Sequence, residues 1–304
     1  EHFKKISKIF FFIHNTKPHF KFRNAKKLYE KFILSADIIL HFSDFSKKFI
    51  SSKYKKDRNH FVIKHGNYIQ LDTKTFDKDD YLKSLNLNPK KITVSTIGSI
   101  RNKSELKLLQ NFAKHYHSLN CNFIYVGNLS GIHIDPRTSK KLLYLLKILI
   151  YKKLKIKNVI NFIRKIKFLF LKKNIRVFSH HISDNSLVKI CKASDILLIC
   201  RKNNFNSGNI ALGTTFGCIL VGPDEGNIGF LLKKLNNEVY QTRNINYALI
   251  VNKSLKKINK QTIKNNLEDA LVSCDWNKLA KEYKNIFLKF NIIWLKAKNL
   301  IFKQ

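Results

Sequence analysis

The turn Gly98-Ser99-Ile100-Arg101-Asn102-Lys103 places two cations between an apolar run at 92–97 and a helical pattern opening near Lys103. Arg grips a phosphate with two parallel N–H bonds and Lys adds a compact charge, so the pair has the chemistry to neutralise a departing diphosphate. In a chain with 58 Lys and Arg, two neighbouring cations are also what composition alone supplies. A second such turn, Asn206-Ser207-Gly208-Asn209, follows the apolar run 196–200 and precedes a small-residue helix and another apolar run, 218–221. Ser207 and Gly208 would sit at a strand's carboxyl end and a helix's N-terminus, where free N–H groups and a partial positive charge suit an anion. His14-Asn15 and His19 follow the first apolar run, and His65-Gly66-Asn67 closes the third. A histidine at such an edge can bond a sugar hydroxyl or a phosphate, or be a loop residue without a role; Gly66 reads as the residue of a tight turn.

The elements that must position these residues are short apolar strands alternating with helices. Strands are expected at 9–13, 37–41, 61–64, 92–97, 122–126, 176–178, 196–200 and 218–221. Helices are expected at 24–34, at 45–51 behind Ser43 as N-cap, at 103–119 and at 185–193. The alternation predicts an α/β fold with parallel sheets covered on both faces, in two βα-repeating halves. The polar stretch 72–89, with Asp77, Asp79 and Asp80, reads as the connection between them. The expected division is 1–75, 76–275 and a helical, basic tail at 276–304. Within the second part, 139–173 carries twelve basic residues, no acidic ones and a dense Leu/Ile/Phe content, and reads as a basic amphipathic insertion.

The 304 residues hold 58 Lys and Arg against 20 Asp and Glu, a formal charge of +38. Such an excess points to a polyanion nearby: nucleic acid, an anionic membrane surface or phosphorylated substrates. Drift in a Lys-, Asn-, Ile- and Phe-rich sequence accounts for part of it. The greasy face of 139–173, flanked by lysines, favours an anionic lipid surface, and its scarcity of aromatics among the cations speaks against nucleic acid. Five cysteines without C-x-x-C spacing indicate neither disulfides nor zinc and fit a reducing compartment. No signal peptide and no apolar stretch of membrane-spanning length is visible. P-loop, G-x-G-x-x-G and H-E-x-x-H patterns are absent. A chain that starts at Glu1 and contains no Met reads as a fragment.

In order and spacing these pieces resemble the GT-B glycosyltransferases, most of all glycosyltransferase family 4 and its bacterial polysaccharide branches. The resemblance runs through Ile13-His14-Asn15 to Pro18-His19, Ile63 to Tyr68, Ile97 to Arg101, Ile124 to Gly127, Ile182 to Leu187, Ala193-Ser194-Asp195, Asn206-Ser207-Gly208 to Pro223, and Asp275-Trp276 to Tyr283. It implies two Rossmann-like doubly wound domains facing a cleft, the first incomplete here. It also implies a retaining, metal-independent transfer of a sugar from a nucleotide-diphosphate donor, which is a substrate and not a cofactor. The acceptor would be a glycan or polyprenyl-linked glycan of cell-surface polysaccharide synthesis, met by a peripheral protein on the inner face of the cytoplasmic membrane. In that frame Arg101 and Lys103 neutralise the diphosphate and His14 lies near the transferred sugar. His19, Gly98, Ser207, Gly208, Asn209 and Glu225 would line the substrates. The family's Arg-x-Tyr-Lys pattern is missing, and the acidic residue expected after Gly226-Asn227 gives way to Gly229-Phe230, leaving Asp224 and Glu225 upstream. These departures keep a non-catalytic protein binding a polyanion or membrane as the alternative.

Overall fold

The computed structural model describes residues 8–14, 24–54, 59–72, 75–127, 173–178, 182–201 and 206–290. His19 and nearly all of the basic block at 139–173 lie outside them. Two compact units form, Glu1–Asn67 with Ala270–Gln304, and Tyr68–Asp269.

In the first unit, β1 (Phe10–Ile13), α1 (Ala25–Ser35), β2 (Ile38–His41), α2 (Asp44–Tyr54) and β3 (His60–Val62) build a parallel sheet in the order β1-β2-β3. Every residue of β2 is buried, because successive side chains enter two apolar layers. Ile39 packs with Ile13, Ile33 and Ile50, while Ile38 and Leu40 pack with Ile63 and Leu279. Leu279 belongs to helix Trp276–Lys289, which presents it with Tyr283, Ile286 and Phe290 along one stripe. Ser43 caps α2, its Oγ accepting from the Ser46 N–H at 3.2 Å. The turn at 66–67 is clasped by the returning chain. Asn67 N–H donates to Cys274 O at 2.9 Å, and Asn67 Nδ2 donates to Ala270 O at 3.0 Å. Trp276 Nε1 donates to Asn67 O at 2.8 Å, and its indole fills the space a side chain on Gly66 would need.

The second unit opens with α3 (Lys78–Ser84), inside the stretch expected to be a connection. Asp77 caps it by accepting from the Asp80 N–H at 2.8 Å, which explains the acidic cluster. Leu82 and Leu87 are buried with Ile124 and Val126, so this segment is part of the unit's core. There follow β4 (Thr93–Ile97), α4 (Lys103–Ser118), β5 (Asn122–Val126), β6 (Ile175–Phe178), α5 (Asp184–Ala193), β7 (Ile196–Leu198) and α6 (Gly208–Thr215). Then come β8 (Ile219–Pro223), α7 (Gly226–Lys234), β9 (Glu238–Tyr240), α8 (Tyr247–Lys256) and α9 (Lys260–Glu268). The sheet is parallel throughout, in the order β6-β5-β4-β7-β8-β9. Its central strands are buried on both faces, by Phe112 and Tyr116 of α4 on one side and by Ile228 and Leu232 of α7 on the other.

Asp195 ties the start of the sheet, accepting from Thr93 N–H at 2.8 Å and from Lys78 Nζ at 2.7 Å. The observed division therefore falls at Tyr68, where sequence reading placed it at 75/76, and helix Trp276–Lys289 joins the first unit. All five cysteines are buried free thiols. Burial pushes Cys121 up to about 11 and Cys200 and Cys218 up to about 12, so they carry almost no thiolate at neutral pH.

Candidate active site

From β4 the sheet grows one way through β5 and β6, and from β7 the other way through β8 and β9. The strand order thus reverses between β4 and β7, and in open parallel sheets ligands settle outside the carboxyl ends of the two strands at that point. The turns leaving both strands carry an arginine. After β4, Gly98 takes φ +110, a conformation that favours glycine. Arg101 then folds onto Glu105, one helical turn further on. Its N–H donates to Oε2 at 2.9 Å, its Nε to Oε1 at 3.1 Å and its Nη2 to Oε1 at 2.7 Å. Asn102 caps α4, accepting from the N–H groups of Ser104 and Glu105 at 3.1 and 3.0 Å.

After β7, Arg201 reaches the same carboxylate from the other side. Its Nη1 lies 3.6 Å from Glu105 Oε2 and donates to Ser99 O at 2.9 Å. Glu105 is fully buried, the Arg201 side chain is 15% exposed and that of Arg101 33%. Burial lowers the Arg201 pKa, and the Glu105 carboxylate opposes the fall. The Tyr240 hydroxyl donates to Ile199 O at 2.7 Å and fixes the end of β7. Two guanidinium groups thus share one carboxylate, leaving one net positive charge beside the switch point.

Lys103 is the first residue of α4 and exposed. Ser207 caps α6, accepting from the Asn209 N–H at 3.4 Å, and Gly208 is that helix's first residue. Asn209 Nδ2 donates to Ile97 O at 2.7 Å, which pins the start of α6 to the end of β4. The Ser207 turn and the arginine turns are in this way brought to one edge of the sheet. Glu225 precedes α7 and accepts from Thr242 Oγ1. Its neighbour Asp224 is held by Lys233 Nζ at 2.7 Å and Gln241 Nε2 at 2.9 Å.

In the first unit, His14 is exposed at the carboxyl end of β1, its ring edge-on to Phe42 at 5.7 Å. Phe42 meets the His65 ring at 5.6 Å, and His65 Nδ1 donates to Gly66 O at 2.8 Å. Among the described residues no group of three His, Cys, Asp or Glu is placed to hold a metal ion, and no helix is long and apolar enough to cross a membrane.

No protein-family model matches the chain, and no curated protein matches it by sequence. Solved structures do. Sucrose-phosphate synthase from Thermosynechococcus elongatus matches with a TM-score of 0.66 at 12% identity, over 95% of this chain and 70% of that one. Anabaena HepE in complex with UDP-glucose matches at 0.64 and 13%, over 93% and 72%. The UDP-forming α,α-trehalose-phosphate synthase from Burkholderia vietnamiensis matches at 0.61 and 12%, over 95% and 68%. The fold is GT-B. Within this GT-B chain, the expected residues Arg101, Gly98 and the Ser207 turn come to one edge of the sheet, together with Glu105 and Arg201, which were not among those expected. The available signals were an acid four residues after Arg101, in the first turn of the helix that follows it, and a cation closing the run Ile196-Leu197-Leu198-Ile199-Cys200.

Proposed function

We propose that this chain transfers a sugar, with retention of anomeric configuration and without a metal, from a nucleotide-diphosphate donor to a glycan or polyprenyl-linked glycan. The observation that carries the reading is Arg101, locked on buried Glu105 at the switch point of a GT-B sheet. HepE is described in complexes with UDP and with UDP-glucose, which supports a nucleotide sugar as donor. In the reaction the bond from the anomeric carbon to the diphosphate oxygen breaks, and its electron pair leaves with the diphosphate. An acceptor hydroxyl oxygen bonds the carbon on the face the diphosphate leaves, and its proton passes to the departing phosphate oxygen. Negative charge grows on the leaving group, and a preorganised guanidinium placed there acts where the charge develops. Lys103 adds long-range attraction, and Ser207, Gly208 and Asn209 offer a helix start to the phosphates, with Glu225 bonding a donor hydroxyl; in the first unit, His14 and His19 bond sugar hydroxyls.

A lipid-linked acceptor calls for a protein at the inner face of the cytoplasmic membrane, held by an anionic surface. The cations of 139–173 support that reading, as do exposed Leu28, Phe32, Phe45 and Phe49 beside exposed Lys27, Lys31 and Lys48 on α1 and α2. The test is release of nucleoside diphosphate from a panel of nucleotide sugars by the chain and by Arg101→Met. Release that depends on Arg101 is expected; binding of no donor at all overturns the reading. One observation favours the non-catalytic alternative, a protein that only holds a polyanion: Asp224 and Glu225, the carboxylates nearest the expected acidic position, are engaged by Lys233, Gln241 and Thr242. Donor binding without any turnover would select it.

A further inference from the structure

Arg201 has a guanidinium with five N–H donors, of which only those on Nη1 are engaged among the described residues, by Ser99 O at 2.9 Å and Glu105 Oε2 at 3.6 Å. Nη2 and Nε form no hydrogen bond among those residues. A cation this deep, with donors left over, asks for an acceptor, because unmet polar groups are costly when removed from water. It also stands beside a second guanidinium, an arrangement whose repulsion Glu105 offsets only in part. The group is held firmly: Tyr240 fixes the strand end, and Gly98 has no side chain where Nη2 lies. Arg201 and Arg101 leave the two strands that flank the reversal of strand order, one from each side.

We infer that Arg201 is a direct phosphate ligand, its Nη2 and Nε donors meeting the diphosphate together with Arg101, and that Glu105 is the carboxylate that holds both arginines in place. The inference rests on the proposed reading of this site and adds to it a residue from a different strand. Arg101 spends its Nε and Nη2 on Glu105 and brings charge, whereas Arg201 brings the fork. Cations leaving the two strands that flank the switch point meet both phosphate groups, which gives selectivity for a diphosphate over a monophosphate.

Calorimetry with UDP, uridine and inorganic pyrophosphate tests it on the full chain, with folding checked by circular dichroism melting. Arg201→Met is expected to weaken UDP and pyrophosphate at least about tenfold, the loss of one charge-assisted contact, and to leave uridine unchanged. Lys107→Met, an exposed charge on α4 outside the cluster, controls for net charge; an equal loss there overturns the inference. If Arg201→Met does not fold, Arg201→Lys decides. It keeps the charge and loses the fork, so weakened pyrophosphate binding supports the inference and unchanged binding overturns it. UDP binding by the natural chain that survives both Arg201 substitutions sinks the inference and leaves the proposed function standing. Pyrophosphate binding through Arg201 without UDP binding does the reverse. Binding of neither anion overturns both.

Discussion

The guanidinium of Arg201 occupies the space that a side chain on Gly98 would fill. Gly98 was expected to line the substrate; its lack of a side chain also clears room for a cation from the neighbouring strand, while its φ of +110 turns the chain toward Arg101. One glycine therefore sets the geometry of both arginines.

Gly98→Ala should lose on two counts. A non-glycine residue in this backbone region costs about 1–3 kcal/mol, and its Cβ must push Arg201 away. A drop of that size in urea unfolding is expected, with pyrophosphate affinity falling in parallel. A variant with the natural midpoint and affinity would show that Arg201 has other room.

Glu105→Ala removes the only carboxylate within ion-pair reach of Arg201 among the described residues and strips Arg101 of its fork. Removing one partner of a buried ion pair costs about 3–5 kcal/mol. Exposure of a third of the Arg101 side chain lets water relieve part of that, so the lower end is expected. Glu105→Gln keeps the shape and an acceptor for the Arg101 N–H, and should lose less. Equal stability of the Ala and Gln variants in urea would show that packing and not charge matters there.

Much of the fold was legible because it is local. Apolar runs such as 122–126 marked buried strands, and Ser43 marked a helix start through a side chain that accepts an N–H bond three residues on. Helix α3 was not legible, since its charged face masked Leu82 as the single residue of that helix buried in the core. Trp276 was read with a separate tail, because nothing near it in sequence records that its indole covers Gly66. The candidate site was half legible for the same reason. Arg101 announces itself by its turn, whereas Arg201 matters only because strand order sets β7 beside β4.

Gly66 and Trp276 give a test of that long-range clasp. A methyl group at Gly66 would enter the indole ring, and overpacking of this kind costs about 1–3 kcal/mol. Trp276→Phe keeps a ring and loses the bond to Asn67 O, about 1 kcal/mol. Combining Gly66→Ala with Trp276→Ala should recover part of the loss from Gly66→Ala alone. Strict additivity in urea midpoints would show that the two positions do not touch.

The buried pair His41 and His60 makes the first unit acid-sensitive. His41 Nε2 and His60 Nδ1 lie 2.8 Å apart with the rings stacked. Burial first, then His60 and Lys47, pushes the His41 pKa down to about 3 from its ordinary 6.5. Between those values the unfolded chain binds a proton that the folded chain refuses. Stability is therefore fully present above about pH 6.5 and is lost as pH falls toward 3, by up to about 1.4 kcal/mol per pH unit. Carboxylates titrate in the lower part of this window too, so the comparison must be with a chain lacking the pair. The double variant His41→Leu/His60→Leu replaces both partners with apolar groups and leaves neither one stranded. Urea midpoints measured from about pH 7 to about pH 4.5 should fall less steeply for the double variant than for the natural chain. Parallel slopes would mean that His41 does not stay neutral at the expense of folding.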